Sequence, residues 1–300
     1  VSGMDDVIAA PSVRALALNK GIDLARLAQQ LGRTTIARED LDRAPAPAAA
    51  VAADQAEGTA YWQVDHAAYG PVREEPLSRF AQAASANLSA ANARIPQVTH
   101  HDRADVTALE AFRQRLKPEA RARGVKLTAL AFHLRAVSRA LREFPRFNAA
   151  LSPDGKTLIL RDYVHIGIAV DTAHGLMVPV IRDADTKGLW QIASEISDMA
   201  ARAQARKIRA DEMGGASLTI TNLGGIGGVG FTPIVNPPEL AILGLSRPET
   251  VTLWEGEVPR PVSMVPLDLS YDHRVLNGAE AARFVACLAR LIADPRRMMV

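Results

Sequence analysis

Val164-His-Ile-Gly-Ile-Ala-Val170 is seven residues long, apolar at nearly every position and bounded by turn formers, and it decides how the large part of the chain is read. Runs of this length and branching fit a pleated strand better than a helix. Two further stretches read the same way: Ala216-Ser-Leu-Thr-Ile-Thr221 and Leu240-Ala-Ile-Leu-Gly-Leu245. The three are expected to lie in one sheet. Between and around them the apolar period lengthens. Leu127, Leu130, Ala131, Leu134, Val137, Leu141 and Phe144 follow helical spacing, which predicts an amphipathic helix over 126–144 that ends before Pro145. Ile192, Ile196, Met199 and Ala203 place another helix in 189–207, and Ala282, Val285 and Leu288 a third in 279–293. The fold expected is a sheet covered by helices, of the α/β class. His133 lies off the stripe of its helix and reads as a solvated face residue.

Outward from this domain the pattern changes. Ala44-Pro-Ala-Pro-Ala-Ala-Ala-Val-Ala-Ala53 carries no charge and no large apolar side chain, so 44–58 reads as a semi-extended tether. Before it, 10–43 holds a small helical unit. Pro11 and Ser12 open a helix that Gly21 ends, Asp23 caps a second that Gly32 ends, and Glu39-Asp40 start a short third. The domains expected are therefore 10–43, a linker over 44–58, and 59–300. With 35 basic and 33 acidic residues the formal charge is only +2, so the whole chain carries no strong pull toward nucleic acid or an anionic membrane. Cys287 is the only cysteine, which excludes an internal disulfide and a cysteine-built zinc site and fits a reducing compartment such as the cytoplasm. No run approaches the roughly 20 apolar residues of a spanning helix. Val1 in place of methionine suggests a fragment of a longer chain.

Two motifs are candidates for chemistry. In Tyr271-Asp-His-Arg-Val-Leu-Asn-Gly278 a histidine follows the strand-like 262–269 and precedes a helix, where a turn presents a side chain to solvent. A turn histidine bonded to backbone is the plainer reading of so short a motif. In Thr219-Ile-Thr-Asn-Leu-Gly-Gly-Ile-Gly-Gly-Val-Gly230 a strand runs into a glycine-rich turn, which allows close approach of backbone to a ligand. The lysine or helix of a phosphate-binding loop does not follow, and a wide hairpin loop is the alternative. Asp171, Asp183 and Asp185 read as turn and capping residues, and His100-His101-Asp102 as a strand edge beside a helix N-terminus; no metal site is expected.

Taken together, the chain resembles the dihydrolipoyl acyltransferase component of the 2-oxoacid dehydrogenase complexes. The resemblance runs from Ala10 to Val300 outside the tether and rests on ordered motifs. They are Leu77-Ser-Arg79, Ala86-Asn-Leu88, Asp105-Val-Thr107, Phe147-Asn148, Val164 through Thr172, Gly175-Leu-Met-Val-Pro-Val-Ile-Arg182, 219–228, Phe231-Thr-Pro-Ile-Val-Asn-Pro-Pro-Glu239 and 270–278. It implies a chloramphenicol-acetyltransferase-like catalytic domain, a mixed sheet covered by helices, preceded by a small all-α peripheral subunit-binding domain. It also implies a homotrimer with active sites at subunit boundaries, built into a hollow core that Met298-Met-Val300 helps to anchor. Partners would be the 2-oxoacid dehydrogenase and dihydrolipoyl dehydrogenase subunits.

The resemblance also assigns roles. His273 would be the general base that frees the coenzyme A thiol, Thr221 would donate its hydroxyl to the oxyanion, and Asn277 would support the active-site turn. Arg79 is the candidate contact to coenzyme A, and Arg14 and Arg33 the candidates for docking partner enzymes. Coenzyme A enters as substrate, and the lipoyl group would come from a domain outside this chain, since no Asp-Lys-Ala hairpin is found. Asn277 and the segments from Tyr69 and His100 are most similar to bacterial pyruvate-type members, which implies acetyl transfer; branched-chain acyl or succinyl transfer is the alternative. A non-catalytic scaffold would keep the fold without needing both His273 and Thr221, and an antibiotic-acetylating enzyme would have no use for the docking unit. Two stretches depart from the family: Ser89-Ala-Ala-Asn92, where a basic residue is usual, and Gln29-Gln-Leu-Gly-Arg-Thr-Thr35, which lacks two glycines and an arginine of the docking loop.

Overall fold

The computed structural model describes residues 7–43, apart from 21 and 23, and 63–298, apart from 174. Asp23 and the tether therefore lie outside the described residues. The chain divides into two compact units, Val1–Pro76 and Leu77–Val300, so residues 63–76 group with the N-terminal unit.

In the first unit, β1 (Ile8–Ala9), α1 (Pro11–Lys20), α2 (Leu24–Leu31), β2 (Thr35–Ile36) and α3 (Arg38–Arg43) follow one another closely. Val13, Ala17, Leu27, Ala28, Ile36 and Leu41 make its small core. Gly32 terminates α2 with φ +63°, a conformation that a side chain resists.

The second unit runs α4 (Arg79–Arg94), β3 (Gln97–Asp105), α5 (Thr107–Ala122), α6 (Ala129–Glu143), β4 (Ala149–Leu151), β5 (Leu158–Leu160), β6 (Ile166–Thr172), β7 (Gly175–Met177) and β8 (Val180–Ile181). It continues with α7 (Leu189–Gln204), β9 (Leu218–Asn222), β10 (Ala241–Leu245), β11 (Glu249–Glu255), β12 (Val258–Asp272) and α8 (Gly278–Ala293). Eight of these strands form one sheet in the order β11-β12-β10-β9-β6-β7, with β3 on β12 and β8 on β6. The three expected strands are the parallel centre, since β9 pairs parallel with both β6 and β10. The long β12 is antiparallel to its neighbours, so the sheet is mixed, as expected.

Alternate residues of each strand face opposite sides. Leu218, Ile220, Leu243, Leu267, Leu269 and Tyr271 turn to one face, where they join α6, α7 and α8 in a continuous apolar core. Their neighbours Thr219, Thr221, Gly244, Asp268, Ser270 and Asp272 turn to the other, and all but Gly244 among them are polar. That second face is partly covered by Ala91 of α4, by Ile95 just past its end and by Val235.

One expectation fails in the helical layer. His133 is not solvated but buried, and neither ring nitrogen has a hydrogen-bond partner. α6 packs against three helices, α5, α7 and α8, so even positions off its main stripe are enclosed. Desolvation pushes the His133 pKa down to about 4 against a weaker opposing pull from Glu110, so the ring is neutral at pH 7. Met298 also departs from its expected anchoring role: it is fully buried in this chain's own core, while Met299 and Val300 lie outside the described residues. No helix among the described residues is long and apolar enough to cross a membrane.

Candidate active site

His273 is the first residue beyond β12, and backbone hydrogen bonds and an ion pair hold the chain around it in place. Its amide donates to the Pro96 carbonyl at 3.1 Å. Val275 and Leu276 amides donate to the Asp272 carbonyl at 3.1 and 3.0 Å, closing a turn whose apex is His273. Asp272 is buried, and its carboxylate accepts from Arg274 Nη2 at 2.6 Å and Arg274 Nε at 3.0 Å. A buried carboxylate is stable only with such partners. The imidazole itself is exposed beside the Tyr271 ring, with ring centroids 5.6 Å apart.

Asn277 begins α8 as its N-cap. Its side-chain oxygen accepts from the Glu280 amide at 3.0 Å while the Glu280 carboxylate accepts from the Asn277 amide at 3.1 Å, a reciprocal capping box. Arg146, which sequence reasoning missed, ties the two ends together. It donates to the Val275 carbonyl at 2.5 Å and pairs with Glu280 at 2.9 Å. Its position just before the quoted Phe147-Asn148 was the available signal.

Thr221 lies near the end of β9 on the polar face, one residue before the glycine-rich turn. The hairpin alternative for that turn is excluded, because β9 and β10 run parallel. In register Thr221 stands level with Gly244 and, through it, with Asp268. His273 lies five residues farther along β12. Two inter-strand steps and five residues of rise separate the two side chains by roughly 20 Å within one chain. Two groups that act on one reacting centre must both lie within a few ångströms of it, so a single chain does not bring this pair together.

The turn around His273 borders a cavity of about 440 Å³ lined by Asn87, Arg94, Asn236, Glu239, Asp272 and Arg274. Ala90 and Ala91, within the stretch that departs from the family, leave room on its α4 side. Glu239 is another residue sequence reasoning did not single out. It is 4% exposed, accepts from Thr219 Oγ1 at 3.0 Å and from Asn236 Nδ2 at 3.1 Å through one oxygen, and leaves the other without a partner. Burial pushes its pKa up to about 7, against the lowering effect of those two bonds. Gly167 on β6 is what admits Thr219, since a side chain there would meet the Thr219 hydroxyl at 2.5 Å.

The remaining expected residues are dispersed. Arg79 opens α4, exposed, behind the Ser78 cap. Arg14 donates to the Val7 and Ala9 carbonyls of its own unit, and Arg33 pairs with Asp40 at 2.5 Å. Asp185 holds Arg142, and Asp183 occupies a turn with φ +47°, in line with turn roles. His101 lies on β3, which pairs only with β12 among the described strands, and α5 follows directly, as expected of a strand edge beside a helix start.

The profile of the 2-oxoacid dehydrogenases acyltransferase family, catalytic domain, matches residues 69–300. The chain is 45% identical to the dihydrolipoyllysine-residue acetyltransferase component of the pyruvate dehydrogenase complex of Pseudomonas aeruginosa PAO1, over 98% of this chain and 55% of that protein. It spans about half the length of the curated relatives it matches. Among solved structures, the Azotobacter vinelandii dihydrolipoamide acetyltransferase superposes with a TM-score of 0.78 at 49% identity, covering 79% of this chain and 98% of that one. That structure belongs to a crystallographic and enzymatic investigation of a serine, a histidine and an asparagine in the enzyme's catalytic mechanism. The cubic core of the pyruvate dehydrogenase multienzyme complex matches equally, at 49% identity and a TM-score of 0.78 over the same shares.

Proposed function

The chain belongs to the 2-oxoacid dehydrogenases acyltransferase family, and we propose that it transfers an acetyl group from acetyl-dihydrolipoamide to coenzyme A as the core of a pyruvate dehydrogenase complex. One observation carries the reading. The serine and the asparagine of the Azotobacter vinelandii enzyme stand at the same distances along the chain from their histidine as Thr221 and Asn277 stand from His273. A threonine in place of the serine keeps the hydroxyl donor.

The chemistry follows from these groups. The His273 imidazole takes the proton of the coenzyme A thiol. A thiol gives up its proton to a neighbouring imidazole most readily when the transfer is coupled to the attack of its sulfur. The thiolate sulfur bonds to the thioester carbon, and the carbonyl electrons move to oxygen. Thr221 donates its hydroxyl hydrogen to that oxyanion, an effect on the order of 3 kcal/mol for one well-placed donor. Collapse expels the dihydrolipoamide sulfur, which takes the proton back from the imidazolium. Asn277 has no proton to exchange and acts by holding the start of α8, hence the turn.

Because the two groups lie roughly 20 Å apart in one chain, the site needs His273 of one subunit and Thr221 of another. This supports a site shared between subunits, read here as a homotrimer, and the likeness to the cubic core of the pyruvate dehydrogenase complex supports its assembly into a larger hollow core. Arg79 is assigned a contact to coenzyme A. Residues 10–43 are assigned the docking of the dehydrogenase subunits, through the basic residues Arg14 and Arg33, 44–58 the tether, and 59–300 the catalytic domain, all in the cytoplasm. A lipoyl arm carried on another domain would deliver the acyl group at high effective concentration.

The test is His273→Ala, assayed for acetyl transfer to coenzyme A with the assembly checked by size. Turnover should fall by about 10²–10⁴-fold; near-normal turnover in an intact trimer sinks the mechanism. Comparing acetyl-, isobutyryl- and succinyl-dihydrolipoamide decides the acyl group, with acetyl expected to give the highest kcat/KM.

A further inference from the structure

On the polar face of the sheet, Thr221, Gly244, Asp268 and His101 stand in one row across β9, β10, β12 and β3. Asp268 is 2% exposed, and its two oxygens are each used. Oδ1 lies 2.7 Å from His101 Nδ1, and Oδ2 accepts from the Phe231 amide at 3.1 Å. Since a carboxylate only accepts, His101 Nδ1 must carry the proton, in the neutral or the charged ring.

Phe231 is the first residue after the glycine-rich turn that leaves Thr221. Its ring lies over Gly244, where a side chain would meet it at 2.8 Å, and it thus fills the gap between Thr221 and Asp268. Gly230 packs against the carboxylate as well, at 3.4 Å from where its Cβ would be to Oδ1. The end of the turn is therefore pinned to the sheet by one buried carboxylate, and that carboxylate is satisfied from its far side by a histidine whose side chain is 55% exposed.

We propose that His101 and Asp268 are a positioning pair for the reaction: Asp268 holds Phe231 and the glycine-rich turn, and His101 holds Asp268, so that the Thr221 hydroxyl is fixed where the oxyanion forms. The inference rests on the reading of Thr221 as oxyanion donor. His101 touches neither substrate nor Thr221; three inter-strand steps, roughly 14 Å, separate them. Its effect passes through the loop.

The experiment is a double-mutant cycle on the full assembled chain, with kcat and KM measured for acetyl-dihydrolipoamide and coenzyme A. His101→Phe keeps the ring and removes the donor, and should lower kcat about tenfold or more with KM changed less than twofold. His101→Asn restores a donor near Nδ1 and should recover most of kcat. Amide exchange at Phe231 should quicken in His101→Phe and not in His101→Asn. In a Thr221→Ala background His101→Phe should have no further effect on kcat. Unchanged kcat in His101→Phe, or an equal loss with and without the Thr221 hydroxyl, overturns the pair while leaving Thr221 as donor. Full activity in Thr221→Ala alone would instead sink the oxyanion reading itself. Should His101→Phe fail to assemble, Asp268→Asn, which keeps the side-chain shape, is measured in the same cycle against the same outcomes.

Discussion

The two faces of the central sheet are made by adjacent residues of the same strands, yet they do different work. Leu218, Ile220, Leu267 and Leu269 are fully buried against helices, where apolar area removed from water stabilises the fold at about 25 cal/mol per Å². One position along, Thr219, Thr221, Asp268 and Ser270 hold hydroxyls and carboxylates, with Thr99 Oγ1 and Ser270 Oγ bonded at 2.7 Å across β3 and β12. Burying such groups stabilises little and requires partners for each. The difference teaches that one face of this sheet is kept for stability and the other for positioning, and each side can be broken without the other.

The largest effect is expected on the apolar side. Phe132 of α6 is 2% exposed and meets Phe112 edge-on, with ring centroids at 6.0 Å. Phe132→Ala should cost about 3–5 kcal/mol in denaturant unfolding while leaving kcat of the folded protein within twofold. Thr221→Ala should do the reverse. Its kcat should fall about 10²–10³-fold, as for loss of one oxyanion donor, with Thr221→Ser close to wild type and stability changed by less than ~1 kcal/mol. If both substitutions moved both quantities together, the division between the faces would be wrong.

The pH dependence of stability sharpens the contrast, because each side buries one displaced titratable group. His133, in the helical layer, has its pKa lowered to about 4 from 6.5. The unfolded chain then binds more protons between those values, so this contribution is complete above pH 6.5 and is lost as pH falls toward 4. Glu239, on the polar side, has its pKa raised to about 7 from 4.5. Here the folded chain binds the extra proton, so the contribution is complete below pH 4.5 and is lost as pH rises through 7. Each is on the order of 3 kcal/mol, with opposite sign. Unfolding followed from pH 4.5 to 6.5 should therefore show stability rising more steeply with pH in Glu239→Gln than in wild type, and less steeply in His133→Leu. Parallel curves for all three would mean that neither group is displaced.

The smallest effect is expected where the faces meet the site. Asn277→Ala removes the α8 cap and should cost about 1 kcal/mol, whereas Asn277→Asp keeps an acceptor for the Glu280 amide and should cost less. Differential scanning of the two variants measures it.

Much of this division is legible in the residues alone. Val164 through Val170 and its two companions alternate or run apolar over strand lengths, and they became the parallel centre of the sheet. Helical spacing found α6, α7 and α8 to within a few residues at each end. His273 and Asn277 were legible because turn, strand end and helix start are local. His133 was misread because periodicity reports one helix's own stripe and says nothing of the other helices that enclose its remaining sides.

What the order of residues determined by itself is therefore whatever depends on near neighbours: element type, caps, turns, and a family resemblance carried by local motifs. Only the tertiary structure decided which distant groups share a face. It joined Asp268 to His101 and Phe231, Arg146 to Val275 and Glu280, and Thr219 to Glu239. It also held Thr221 and His273 apart by strand register. Such pairings follow from sheet order, and sheet order is set by the packing of the whole domain, which no short stretch of chain encodes.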